Sequence, residues 1–115
     1  MPTRGEVWWC ELDPTRGSEV QKTRPVAVLS SPSFDHLPMR IVVPLTSWQD
    51  RFRSMLNKVE VKANAANGLT NDSAADFLQV RAVAVERLTQ RIGRLDAALV
   101  EELAAGVAIA VDYRP

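Results

Sequence analysis

Metal-binding and disulfide-forming side chains are scarce in this chain of 115 residues, which has one cysteine and one histidine. A single cysteine excludes an intrachain disulfide, and a single histidine excludes a zinc site built from several histidines. Net charge is also lacking, because 14 Lys and Arg residues balance 14 Asp and Glu residues. We therefore expect no disulfide-stabilised secreted domain, no zinc finger and no CxxC redox domain. The neutral charge predicts no overall steering towards nucleic acid or membranes.

Long apolar segments are absent as well. The longest apolar run extends from Leu103 to Val111 and falls far short of the roughly 20 residues that span a bilayer. The first residues, Met1 to Glu6, lead into a charge-interrupted segment rather than the apolar core of a signal peptide. We expect a cytoplasmic protein with no membrane association, folded as a single domain over residues 1–115.

Most of the chain shows the hydrophobic pattern of β-strands. Up to about residue 85 the apolar segments are short, rich in β-branched or aromatic residues, and separated by Pro, Gly, Asn and Ser. The segments predicted to be strands are Glu6–Leu12, Pro25–Ser30, Arg40–Thr46, Asn57–Lys62 and Phe77–Val83. Pro44 cannot donate a hydrogen bond to a neighbouring strand, so we expect the third strand at a sheet edge or with a bulge.

The last third of the chain changes to helical spacing. Residues 86–95 are predicted to hold a short helix or turn and a short strand around Ile92. Asp96 is suited to cap the N-terminus of a following helix, in which Leu99, Leu103 and Val107 share one face. The pattern predicts an α+β, mostly β fold, in which a small, partly open barrel is closed by a C-terminal helix.

Basic residues are concentrated locally. Between Lys22 and Lys62 there are seven basic residues against three acidic ones. Such a patch on a neutral protein favours contact with a short polyanion, although a solvated surface of mixed charge is the commoner meaning of such a count. Arg24 stands where a polar loop meets a predicted buried strand. It is either a functional cation or a structural one that pairs with Glu19 or caps the loop.

Four segments together resemble the MazF/PemK-type toxins, which are ribonucleases of bacterial toxin–antitoxin pairs. These segments are Arg4–Trp8, Leu12–Glu19, Thr23–Val26 and Val43–Ser47. The most specific part is the Asp-Pro-x-x-Gly-Ser-Glu block that ends at Glu19, followed five residues later by Arg24-Pro25. The resemblance covers nearly the whole chain and preserves the order of the segments.

The resemblance implies an SH3-like, CcdB/PemK-like barrel of about five to seven strands with a C-terminal helix, working as a homodimer. It implies cleavage of single-stranded RNA without metal or other cofactor. The 2′-hydroxyl attacks its own 3′-phosphate and leaves a 2′,3′-cyclic phosphate and a 5′-hydroxyl. It also implies a cognate antitoxin, and we expect a disordered antitoxin tail with carboxylates to occupy the basic RNA path.

The family's catalytic residues correspond to Arg24 and Thr46, with Glu19 nearby in the same loop as Arg24. A guanidinium stabilises the charge that builds on the non-bridging phosphate oxygens, and a threonine hydroxyl adds another donor. Because arginine stays protonated, we favour charge stabilisation by Arg24, although the family is usually described with it as acid or base. Glu19 either accepts the 2′-hydroxyl proton or only holds the loop.

RNA contacts are expected from six further side chains of the basic patch and the predicted fifth strand: Lys22, Ser47, Arg51, Arg53, Gln79 and Arg81. The sequence departs from the family at one point. Some members carry an Arg-x-Asp pair in the fifth strand as acid and base, where this chain has Asp76 and Leu78. That version of the mechanism is therefore not available to this chain.

Two alternatives to an RNA-cleaving toxin remain open from the sequence. One is a non-enzymatic toxin on the same barrel, like the CcdB-type proteins that poison DNA gyrase. Those rely on a Trp-Gly-Ile C-terminus, whereas this sequence reads Asp112-Tyr113-Arg114-Pro115. The other is a catalytically silent relative that only binds a partner.

Overall fold

The structure, a computed structural model, describes residues 2–115. These residues form seven strands and one α-helix: β1 (Glu6–Glu11), β2 (Thr23–Val28), β3 (Met39–Ser47), β4 (Lys58–Val61), β5 (Ser73–Asp76), β6 (Arg81–Ala84), β7 (Leu88–Arg94) and α1 (Ala97–Ala110). Short 3₁₀ turns lie between them at Pro32–Phe34, Asp50–Ser54, Phe77–Gln79 and Val85–Arg87. The predicted α+β, mostly β class with a C-terminal helix is confirmed. No helix in residues 2–115 is long and apolar enough to cross a membrane.

All strand pairs are antiparallel and belong to one sheet with the order β4-β5-β3-β2-β1-β7. The long strand β3 pairs with β2 along one side. Along its other side β3 pairs first with β6 and then with β5. The sheet thus branches at β3, and apolar side chains pack in two clusters around it.

Pro44 lies within β3, which is an internal strand, so the expected edge position is wrong. On one side Pro44 is paired with Val26 of β2. On the other side the pairs with β6 end at Val42 and those with β5 begin at Leu45. A proline is tolerated here because it falls in the gap between two ladders, where no strand needs its missing N–H.

The predicted fifth strand is divided in the structure. Phe77–Gln79 forms a 3₁₀ turn, because the Asp76 carboxylate accepts a hydrogen bond from the Leu78 amide at 3.1 Å. The second half of the predicted strand, Arg81–Val83, lies in β6. An additional strand, β5, precedes the turn and is buried along its whole length between β3 and β4. Its small Ala74 and Ala75 side chains suit this crowded position but carry little strand signal.

The helix α1 covers the larger core cluster. The Asp96 carboxylate caps it as predicted, accepting a hydrogen bond from the Leu99 amide at 2.8 Å. Leu103 is fully buried, and a Cβ added at Gly106 would stand 2.6 Å from the Phe77 ring. The absence of a side chain at Gly106 therefore lets the helix pack directly on the turn that follows β5.

One basic residue of the predicted patch is part of the core. The Arg40 side chain is fully buried, and its guanidinium donates hydrogen bonds to the carbonyls of Pro2, Leu37 and Met39 at 2.8 Å and of Asp35 at 3.1 Å. Arg40 joins the chain start to the loop before β3. It is therefore removed from the surface charge that the sequence count suggested.

Candidate functional site

A groove of about 950 Å³ opens on one face of the sheet. The loop that connects β1 to β2, residues 12–22 and hereafter the β1–β2 loop, contributes Leu12, Ser18, Glu19 and Val20. Another wall consists of Arg51, Phe52, Met55, Asn57 and Lys58. The remaining lining side chains come from β3, β5, the following 3₁₀ turn and β6: Pro44, Asp76, Leu78, Gln79, Val80 and Arg81.

Arg24 and Thr46 lie at the same end of the neighbouring strands β2 and β3. The last backbone pair joins Val26 to Pro44, and Arg24 and Thr46 each lie two residues beyond it on the same face. Both side chains are half-buried. Neither Arg24 nor Thr46 lines the groove. Pro44 does line it, so the strand face that carries Arg24 and Thr46 continues from the groove.

The guanidinium of Arg24 has few partners within the protein. Its Nε donates one hydrogen bond to the Gln21 carbonyl at 3.3 Å. It forms no ion pair with Glu19, nor with any other carboxylate in the part of the chain that the structure describes. The terminal N–H groups of Arg24 are therefore free to bind an anion, unlike those of the buried Arg40.

Glu19 closes a tight turn in the β1–β2 loop. Its Oε1 accepts a hydrogen bond from the Arg16 amide at 2.6 Å, and its own amide donates to the Arg16 carbonyl at 3.1 Å. The side chain is exposed and lines the groove. These two hydrogen bonds support a role of Glu19 in holding the loop, and Glu19 also lines the groove.

Lys22 and Arg81 fix the ends of the same loop. The Lys22 carbonyl accepts a hydrogen bond from the Leu12 amide at 2.9 Å, and the Lys22 amide donates to the Asp13 carboxylate at 2.9 Å. Arg81 donates to the Leu12 carbonyl at 3.1 Å. The ammonium of Lys22 is not used in these contacts, so its charge remains on the exposed surface beside Arg24.

Asp76 is the polar centre beneath the groove and was not among the predicted site residues. Its side chain is buried and accepts hydrogen bonds from Asn57 at 2.9 Å, Lys58 at 3.1 Å and Gln79 at 3.3 Å. The Lys58 ammonium also lies 4.6 Å from the centre of the Phe52 ring. A carboxylate directly before an apolar segment is the only sequence signal that could have indicated this cluster.

Arg51 and Arg53 project from the 3₁₀ turn between β3 and β4. The Arg51 guanidinium lies 4.9 Å from the centre of the Phe52 ring, and that of Arg53 lies 5.6 Å from the centre of the Trp48 ring. Arg53 also stands 3.4 Å from Asp50 and 3.8 Å from Glu60. Of these two arginines, only Arg51 lines the groove.

Ser47 ends β3 and is exposed, one residue beyond Thr46. Its backbone partner is Ser73 of β5. The predicted contacts therefore fall into two groups. Arg51, Gln79 and Arg81 line the groove together with Glu19, whereas Lys22, Arg53 and Ser47 lie outside its lining, as do Arg24 and Thr46.

The lone cysteine plays no part in this site. Burial raises the pKa of the Cys10 thiol to about 11, and the side chain packs in the smaller core cluster. The thiol therefore stays protonated at neutral pH and acts as a small apolar side chain. Among residues 2–115, no group of three or more His, Cys, Asp or Glu side chains is placed to hold a metal ion.

Comparison with known proteins places the chain in a family. The family described as the PemK-like, MazF-like toxin of type II toxin–antitoxin systems matches residues 3–111. The chain is similar to Endoribonuclease MazF9 of Mycobacterium tuberculosis, with 33% identity over 118 residues that cover 97% of this chain and 98% of that protein. It is also similar to Endoribonuclease EndoA of Bacillus subtilis, with 28% identity over 87% of this chain and 85% of that protein.

Solved structures share the fold. The Mycobacterium tuberculosis toxin MazF-mt6 superposes with a TM-score of 0.75 at 27% identity, over 96% of this chain and 99% of that chain. MazF of Deinococcus radiodurans gives a TM-score of 0.81 at 18% identity, over 96% of both chains. A mycobacterial endoribonuclease in complex with its cognate antitoxin gives 0.76 at 18% identity, over 100% of this chain and 99% of that chain. This protein belongs to the PemK-like, MazF-like toxin family of type II toxin–antitoxin systems.

Proposed function

We propose that this toxin is an endoribonuclease that cleaves single-stranded RNA at selected sequences without a metal ion. The observation that carries the proposal is the unpaired guanidinium of Arg24 at the strand end that it shares with Thr46. Relatives that align over nearly the whole chain are named endoribonucleases, which supports the same activity here.

The proposed reaction is an internal transfer at one phosphodiester. The 2′-oxygen of the ribose attacks the adjacent phosphorus while the bond from phosphorus to the 5′-oxygen breaks. The products are a 2′,3′-cyclic phosphate and a 5′-hydroxyl, so a proton leaves the 2′-oxygen for the carboxylate of Glu19 and solvent water donates a proton to the 5′-oxygen. Negative charge builds on the non-bridging oxygens, where the two parallel N–H groups of Arg24 and the hydroxyl of Thr46 stabilise it.

Glu19 is the proposed acceptor of the 2′-hydroxyl proton. Glu19 is exposed and lines the groove, and the Arg16 amide engages only one of its carboxylate oxygens. The second oxygen remains to accept a proton, while the first keeps the loop closed. The structural and catalytic roles of Glu19 are therefore compatible, because each uses a different oxygen atom.

RNA contacts are assigned along and beside the groove. Arg51 and Arg81 line it and add positive charge for the phosphates on either side of the scissile bond. The exposed Lys22, Ser47 and Arg53 extend the contacts beyond the groove. Gln79 lies in the groove wall, but both of its N–H groups are hydrogen-bonded within the protein, so it is assigned no RNA contact. We expect the loops 31–39 and 47–56 to select the cleaved sequence, since single-stranded RNA is read by loop shape, stacking and base-edge contacts.

The direct test is incubation of the purified protein with a long single-stranded RNA, with and without EDTA, followed by sequencing of the cut ends. Cleavage in both reactions, with 5′-hydroxyl and cyclic phosphate ends at a recurrent motif, is the expected result. Intact RNA together with inhibition of DNA gyrase would favour the CcdB-like alternative. Intact RNA without gyrase inhibition would favour a catalytically silent relative.

A cognate antitoxin is the proposed inhibitor. A structural neighbour was solved as an endoribonuclease with its cognate antitoxin, which supports a similar partnership here. We expect an acidic antitoxin tail to occupy the groove and compete with RNA for Arg51 and Arg81. The competition is tested by adding the tail peptide to the cleavage reaction. Undiminished cleavage, or equal tail binding after both arginines are changed to Gln, would refute competition.

The working form is proposed to be a cytoplasmic homodimer of single-domain protomers. The segment from the 3₁₀ turn at 32–34 into β3 exposes four large apolar side chains: Phe34 at 56%, Leu37 at 46%, Met39 at 43% and Ile41 at 46%. Met39 and Ile41 are paired with Ala84 and Ala82 of β6, whose small side chains leave this face open. A second copy of the chain would bury this surface, and two-fold pairing is the commonest way to do so.

A further inference from the structure

The middle of the β1–β2 loop is tied to the far side of the groove by one side chain. The Oε1 atom of Gln79 accepts a hydrogen bond from the Val20 amide at 2.6 Å, and its Nε2 donates to the Ser18 carbonyl at 3.1 Å. These contacts join residues 59 and 61 positions apart in the sequence. They bracket Glu19, because they hold the backbone immediately before and after it.

Gln79 is itself held from below. Its Nε2 donates a second hydrogen bond to the Asp76 carboxylate at 3.3 Å. Asp76 is buried and fixed by Lys58 and Asn57, so it provides a rigid anchor for the amide. Both N–H groups of Gln79 are therefore used inside the protein. These two donors link the loop to the sheet, which leaves the amide no spare donor for a base or phosphate.

We propose that Gln79 is a positioning residue of the reaction, which holds the β1–β2 loop so that the Glu19 carboxylate faces the scissile phosphate. This inference rests on the proposed function. Release of the amide frees the backbone on both sides of Glu19, and the loop then samples conformations in which the carboxylate leaves the groove. Catalysis depends on such preorganisation, because a displaced group contributes only in the fraction of molecules where it is in place.

The central variant is Gln79→Met, which keeps the length of the side chain but removes every hydrogen bond to the loop and to Asp76. Trypsin reports the loop directly, because Arg16 and Lys22 flank the tethered segment and are both exposed. We expect cleavage after these two residues to become about ten-fold faster, since local opening follows the free energy of the lost contacts. We expect kcat for RNA cleavage to fall about ten-fold with KM nearly unchanged.

The matched control is Gln90→Met, because Gln90 is an exposed residue of β7 that makes no side-chain hydrogen bond in the described chain. Its trypsin pattern and kcat should equal those of the wild type. Trypsin cleavage spread over all basic residues would indicate global unfolding of Gln79→Met. In that case Gln79→Glu is measured instead, because it keeps the acceptor for the Val20 amide while its carboxylate faces the Ser18 carbonyl and Asp76.

These measurements test the positioning role of Gln79 separately from the proposed endoribonuclease function. A folded Gln79 variant with wild-type kcat overturns the positioning role, whether or not its loop is more sensitive to trypsin. Unchanged trypsin cleavage at Arg16 and Lys22 overturns the tether. Failure of the wild-type protein to cleave RNA overturns the proposed function, and the positioning role with it, while the trypsin pattern still decides whether Gln79 holds the loop.

Discussion

Lys58 and Asp76 face each other in the backbone register of β4 and β5, and their side chains form an ion pair of 3.1 Å beneath the groove. Both side chains are largely buried, at 13% and 5% exposure. A carboxylate in this position holds an ammonium, the Asn57 amide and the Gln79 amide at once. The geometry of the groove wall therefore depends on one buried charge.

Replacement of Asp76 by Asn should destabilise the fold strongly. The variant leaves the Lys58 ammonium largely buried without its counter-charge, and breaking a buried pair from one side typically costs about 3 kcal/mol. Urea denaturation of the variant and the wild type measures the difference. Asp50→Asn is the matched control, because Asp50 pairs with Arg53 at 92% side-chain exposure and should contribute less than about 1 kcal/mol. A similar small effect of both substitutions would contradict the account of the groove wall.

The sequence predicts those strands whose side chains show the usual hydrophobic alternation or β-branching between turn residues. The sequence predicts β1 to β4 within two residues at each end, because their side chains alternate or are β-branched and are bounded by Pro, Gly or Asn. The helix α1 was predicted from its spacing and from the Asp96 cap. Arg24, Thr46 and Glu19 are proposed as site residues because they belong to short segments whose order and spacing are specific.

The elements and site contacts that the sequence does not predict depend on contacts between distant parts of the chain. The sequence does not predict β5, because its position between two strands requires small side chains and alanines do not indicate a strand. The sequence predicts only a short strand around Ile92, whereas β7 extends from Leu88 to Arg94 by pairing with β1. The anchoring role of Asp76 arises from neighbours on β4, which local sequence does not reveal.

Replacement of Ile41 by Glu should convert the proposed dimer to monomers. The side chain is 46% exposed on the apolar face of β3, and a carboxylate there would be desolvated without a partner in the interface. Sedimentation velocity at micromolar concentration measures the change. Ile109→Glu is the control, because Ile109 is 73% exposed at the end of α1 and lies outside the proposed interface. Dissociation by Ile109→Glu alone, or a monomeric wild type, would refute the assigned surface.

Acid should remove a contribution of Glu6 to stability. Burial raises the pKa of Glu6, but hydrogen bonds from the Thr3 amide and the Trp8 indole and the ion pair with Arg91 outweigh this effect. The pKa in the folded state therefore lies below its ordinary value of 4.5. The carboxylate stabilises the fold fully above that ordinary value, and the contribution disappears as pH falls through the lower folded-state pKa.

The measurement is the free energy of unfolding in urea for wild type and Glu6→Gln, at neutral pH and at pH ~3. The wild type should be more stable at neutral pH, and the gap should narrow in acid. Glu102→Gln, on an exposed part of α1, is the control and should leave stability almost unchanged at both pH values. A gap that widens in acid would show that the carboxylate is not stabilised by its partners.

The hydroxyl of Thr46 should contribute more to the rate of RNA cleavage than its methyl group does. In the proposed mechanism Thr46→Ala removes one donor to the phosphate oxygens, and the loss of one such donor lowers the rate by about 10²- to 10³-fold. Thr46→Ser keeps the hydroxyl and should retain most of the activity. Single-turnover cleavage of a short RNA that contains one site compares the variants. Equal losses in the Ala and Ser variants would assign the role of Thr46 to packing instead.

The cleavage rate of Arg24→Lys most directly tests the central claim, which is that the Arg24 guanidinium stabilises the transition state through two parallel hydrogen bonds. Lysine keeps the positive charge but lacks the two parallel N–H groups, so single-turnover cleavage should slow by about 10²-fold or more. Binding of an RNA with a 2′-methoxy group at the scissile position should fall far less than the rate, and circular dichroism should show an intact fold. Cleavage by folded Arg24→Lys at the wild-type rate would contradict bidentate stabilisation of the transition state by Arg24.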